Sequence, residues 1–244
     1  MYPVSNQMID KKLQVLRSRL KGASKQPTAV VGLYRLPDHL REALEFGDYP
    51  QSVLQDISDH MGFFLGTLAS VKVSIGIESS DHMIVDPSKV ISADRVGLYR
   101  VKSSGRREIQ LTKKFRFEPQ HVLAILAHEA THNHLHQIGI READEQENEI
   151  LTDVAAAYLG LGGLLLKGYA PIEWTSDHWW TAEGSGHTKH TIQIGYLNCT
   201  ALRYAIYRSA IVREMREFAD ALGLLPRLSI GLYFYKLKRA RRNP

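Results

Sequence analysis

Gln120-His-Val-Leu-Ala-Ile-Leu-Ala-His128-Glu129-Ala130-Thr131-His132-Asn-His-Leu-His136 is the stretch whose reading decides the fold. On a helix, positions i and i+4 share a face, so His128 and His132 can bind one metal ion. Glu129, about 100° round the same helix, can reach a water held by that ion. Val122, Leu123, Ile125, Leu126 and Ala127 lead into the motif without Gly or Pro, and Pro119 stands where a first-turn proline opens a helix. The pentapeptide is too short to carry a function alone, so a second segment has to complete it.

A catalytic zinc of tetrahedral geometry takes three protein ligands and leaves its fourth place to water. Asn148-Glu149-Ile-Leu-Thr152-Asp153 supplies the third ligand and opens another apolar helical pattern. That pattern is Ile150, Leu151, Val154, Ala155, Tyr158 and Leu159, ended by Gly160, Gly162 and Gly163. Glu149 and Asp153 again stand at i and i+4. The economical assignment makes Glu149 the ligand and Asp153 an outer acceptor that holds a ligating histidine by its other ring nitrogen. Glu142, Asp144, Glu145 and Glu147 suit a solvated, acidic helix start.

HEATH followed by NEILTD resembles the gluzincin metallopeptidases, whose second helix carries Asn-Glu-x-x-Ser/Thr-Asp. The stretch His128 to His136 with Glu149-x-x-Thr152-Asp153-x-Ala155-Ala156 is also similar to the short ImmA/IrrE-type peptidases. The resemblance covers roughly residues 119 to 165 and does not choose between the two. Ala130-Thr131 departs from the Leu-Gly common in the ImmA/IrrE motif, and no histidine follows Gly139 as a metzincin would require. The resemblance implies a zincin-like α+β fold, with a small N-terminal sheet, an active-site helix and a largely helical C-terminal half. It implies a zinc-dependent hydrolase of peptide bonds, a regulatory or stress-response protease acting on a protein or peptide. Glu129 would then be the general base toward a zinc-activated water. In gluzincin-like enzymes an edge strand before the active-site helix pairs with extended substrate, which makes residues 106 to 112 either that edge or an ordinary hairpin strand.

A donor to the tetrahedral oxyanion has to come from outside the two helices. The segment Trp174 to His190 is aromatic, contains glycine and lacks helical periodicity, and reads as a loop that brings His187 or His190 to the substrate. His136 continues the face of His132, and His121 falls at the helix start.

Elsewhere, Ile9, Leu13, Leu16 and Leu20 form one stripe of a helix, residues 37 to 70 suggest one or two helices, and Val71–Ile77, Val96–Val101 and Glu108–Thr112 read as strands. Gly195 to Leu222 reads as a long helical stretch, and Leu228 to Tyr235 as a strand or a last helix. With 44% hydrophobic residues in 244, the chain can bury a core and reads as one domain, with an N-terminal lobe over residues 1–118. No apolar run is long enough to span a bilayer, and Asp10, Lys11 and Lys12 fall where a signal sequence would be apolar; the expectation is a cytoplasmic protein. The single cysteine, Cys199, excludes an intramolecular disulfide framework and a cysteine-built zinc site. A net charge of +5 and the tail Lys236 to Arg242 raise an alternative: a metal-containing or inactive relative that binds nucleic acid or an acidic partner through its basic termini. No helix-turn-helix or zinc-finger spacing supports it.

Overall fold

In the computed structural model, the described residues are 4–22, 33–45, 49–67, 70–77, 97–113, 118–181, 184–192, 194–215, 222 and 235. They form a mixed α+β structure, mostly helical, with a small three-stranded sheet. Helices α1 (Asn6–Gly22), α2 (Asp38–Glu45) and α3 (Gln51–Leu65) come first, and β1 (Lys72–Ile77), β2 (Gly97–Val101) and β3 (Arg107–Lys113) follow. Then come α4 (Pro119–Gln137), α5 (Glu145–Tyr158), α6 (Gly162–Gly168), a hairpin of β4 (Ile172–Thr181) and β5 (Gly184–Ile192), and α7 (Cys199–Arg213). The stripe Ile9, Leu13, Leu16 on α1 is buried, so this face packs, against α5 and α7.

β3 lies in the centre of the sheet, parallel to β1 and antiparallel to β2. The expectation that residues 106 to 112 form a substrate-binding edge is therefore corrected: both sides of β3 are taken by strands. The outer strands differ in how they end. Gln55 of α3 accepts from the Val73 N–H at 2.8 Å and donates to the Val71 carbonyl at 2.8 Å, so a helix covers the free side of β1. β2 pairs with β3 on one side, has no strand partner on the other among the described residues, and packs against α4.

α4 is buried on almost every side, as expected of a helix whose apolar residues do not keep to one stripe. Pro119 sits in its first turn, and a capping box closes it: the Glu118 N–H donates to His121 Nδ1 at 2.9 Å, while the Glu118 side chain accepts from the His121 backbone. α5 starts at Asp144, whose carboxylate accepts from the Glu147 N–H at 2.8 Å. One apolar core, including Leu126, Leu151, Leu161, Leu165 and Leu202, holds α4, α5, α6 and α7 together.

The segment expected as a loop around Trp174 to His190 is instead a two-stranded antiparallel hairpin, with a register shift between Ser176 and Trp179. The Trp, Thr and Ile residues of 172–192 are strand formers, a composition that a search for helical periodicity does not register. The helix expected from Gly195 begins only at Cys199, after a cap in which Asn198 accepts from the Ala201 N–H at 2.8 Å. The expectations for 228–235 and for the basic tail fall outside the described residues. Among the described residues no single helix is long and apolar enough to cross a membrane.

Candidate metal centre

α4 and α5 lie against each other and bring His128, His132 and Glu149 together, with one ligand atom of each within 4.8 Å of the others. His128 Nε2 and His132 Nε2 both stand 2.9 Å from the same oxygen, Glu149 Oε2. The opposite ring nitrogens are already committed. His128 Nδ1 lies 2.8 Å from Asp153 Oδ1, and since a carboxylate only accepts, Nδ1 carries the proton. Thr152 Oγ1 donates to the Asn148 carbonyl at 2.9 Å and accepts from His132 Nδ1 at 3.1 Å. With both Nδ1 atoms protonated, neutral imidazoles turn two Nε2 lone pairs toward a carboxylate, an arrangement that requires positive charge between them.

This group could hold a metal ion. A tetrahedron with bonds of ~2.1 Å puts neighbouring ligand atoms about 3.4 Å apart, between the 2.9 Å contacts and the 4.8 Å limit of the group. Without a metal, protons serve: burial works against a charged His128, but Asp153 and Glu149 outweigh it and hold its pKa well above the ordinary value. Burial would push Glu149 up, and the two imidazoles instead hold it far below the usual carboxylate range.

Asp153 is fully buried and saturated with donors. Besides His128, it accepts from Tyr169 Oη at 2.5 Å and from the Tyr196 and Leu197 backbone N–H groups at 2.9 Å each. Gly195 makes that last contact possible. Its φ of +83° favours glycine, and a Cβ there would lie 1.9 Å from the Tyr169 ring. The turn leaves the Tyr196 ring nearly parallel to the His128 imidazole, 6.0 Å between centroids, at the wall of the cleft.

Glu129 is buried beside the group, under β2. A Cβ on Gly97 would come 2.6 Å from Glu129 Oε1, so the strand approaches the carboxylate only because residue 97 has no side chain. Burial raises the Glu129 pKa, with His128 and His132 acting against the rise. All three sit on a cleft of about 850 Å³.

The sequence expectations thus converge for His128, Glu129, His132, Glu149 and Asp153. His136 lines the same cleft, and His121 caps α4. His187 and His190 fall on the backbone of β5, and their side chains lie outside the described part of the structure. Sequence reading missed Tyr169 and Tyr196, as well as Thr152 as the partner of His132. Only Thr152 had a local signal, its i+3 step from Glu149. No protein-family model, no curated protein and no solved structure matches this chain.

Proposed function

We propose that this protein is a zinc-dependent peptidase. The observation that carries the reading is the convergence of two Nδ1-anchored imidazoles on one carboxylate, with a second buried carboxylate, Glu129, at the adjoining position. Two histidines and a carboxylate are a known catalytic zinc set, and a zinc held there supplies Lewis acidity toward a water and a carbonyl.

The chain's own residues then divide the work. Glu129 takes the proton of the attacking water and returns it to the leaving amine, and the burial that raises its pKa makes it a better base than an exposed carboxylate. Tyr196, on the cleft wall beside His128, takes the role of donor to the developing oxyanion that sequence reading sought from His187 or His190. β2, rather than β3, offers the strand edge that an extended substrate can join. A metal site with a purely structural role has no use for a second buried carboxylate lining the same cleft as its ligands, which weighs against the binding-protein alternative.

The test is hydrolysis of a denatured-protein or peptide mixture by the zinc-loaded protein and by Glu129→Gln. The variant should keep its metal and lose activity by a factor of about 10² to 10⁴. Equal turnover by both proteins would refute the assigned base.

A further inference from the structure

Past the His128, His132 and Glu149 group the cleft continues along α4 to the connection between α4 and α5, where His136, Ile140 and Arg141 line it. Its other wall is β2. Tyr99 stacks on His132 at 6.4 Å, within 4° of parallel, and its hydroxyl donates to Asn133 Oδ1 at 3.3 Å and stands 3.5 Å from His136 Nδ1. Arg107, the cross-strand neighbour of Val101, reaches the same Asn133 oxygen with Nη1 at 3.3 Å. Arg141 lines the same cleft as His136, and Arg107 is held at Asn133; burial lowers the His136 pKa, and the charges of the two arginines lower it further.

Among the described residues neither arginine is in an ion pair. The nearby carboxylates have other roles. Glu142 and Glu147 are bound by Lys12 at 2.6 and 2.7 Å, Glu145 stands in the first turn of α5 where the helix dipole stabilises it, and Glu129 and Glu149 belong to the metal centre. Positive charge next to an open cleft, with the local acids otherwise engaged, selects for an anion from outside.

We infer that Arg141 and His136, on the platform of Tyr99 and with the charge of Arg107 behind it at Asn133, form a subsite for a carboxylate of the substrate, so that the enzyme prefers acidic peptides. The inference rests on the peptidase reading. His136 lies one helical turn beyond His132, about 6 Å along α4. An extended peptide advances ~3.3 Å per residue, which places the carboxylate about two residues from the scissile bond. The chain's net charge of +5 acts in the same sense, drawing acidic substrates to the cleft.

Either an Asp or Glu side chain or a free C-terminus could supply this group. The experiment compares cleavage, by the zinc-loaded full chain, of peptide libraries that differ only in Glu against Gln near the scissile bond, each with a free and an amidated C-terminus. A preference for Glu at one fixed offset, on the order of 10- to 100-fold in kcat/KM, is expected, reduced in Arg141→Ala and turned toward Gln in Arg141→Glu. Cleavage that falls on amidation to the same degree in the Glu and Gln libraries would identify the terminal carboxylate as the group bound. Equal cleavage of all libraries overturns the subsite and leaves the peptidase reading intact. If nothing is cleaved, that reading fails, and fluorescence anisotropy of the same labelled peptides decides the subsite alone. Glu peptides binding about tenfold tighter than Gln peptides, with the difference lost in Arg141→Ala, would support it, and equal binding would overturn it.

Discussion

Asp153 accepts from four donors on three separate parts of the chain: the His128 ring, the Tyr169 hydroxyl and the two backbone N–H groups after Gly195. Asp153→Asn puts an NH₂ group where only acceptors fit, so metal affinity should fall by about 10- to 100-fold in a chelator competition, with Glu129 untouched. Gly97→Ala places a methyl group 2.4 Å from Ile125 Cγ2 and 2.6 Å from Glu129 Oε1, and β2 or the Glu129 carboxylate has to shift. The expected loss is about 1–3 kcal/mol in denaturant unfolding, with activity reduced in the same variant. His128, His132, Glu149 and Asp153 were legible because ligation at i and i+4 is a local property of two helices. Tyr169 and Tyr196 were not, because their places depend on where α6 and a left-handed glycine deliver them, 16 and 43 residues from Asp153.

α4 depends on its first turn. His121 Nδ1 accepts the Glu118 N–H, and burial, opposed only by the Glu118 charge, lowers the His121 pKa below the ordinary 6.5. A lowered folded-state value means that the unfolded chain takes up the proton first as pH falls. This contribution to stability is full above the unfolded pKa of about 6.5 and is lost as pH drops through the folded value. His121→Gln, which keeps a capping-box acceptor, should show a shallower decline of melting temperature from neutral pH into the acid range than the wild type; identical slopes would refute the cap's role. Periodicity found α1 and the three strands because each has one face to bury, whereas α4 and α5, buried on nearly every side, were found from their apolar runs and from the Pro and Gly at their ends. It could not order the strands, since β3 becomes central only through a parallel pairing with β1 that no local pattern encodes.

Across the molecule, α1 ties distant segments together. Lys12, 4% exposed, holds Glu142 and Glu147 on the far end of the cleft wall, while Asp10 accepts from Tyr204 and Arg208 of α7 at 2.9 and 2.7 Å. Lys12→Ala leaves two acids facing each other beside the cleft, partly screened by solvent, and should cost about 1–3 kcal/mol in denaturant unfolding. The central claim is the metal itself, and elemental mass spectrometry on the purified chain and on Glu149→Ala, with no metal added, tests it most directly. About one zinc per wild-type chain, lost from the variant, is the expected result. A folded wild type without bound metal, or a variant that keeps it, would contradict the site.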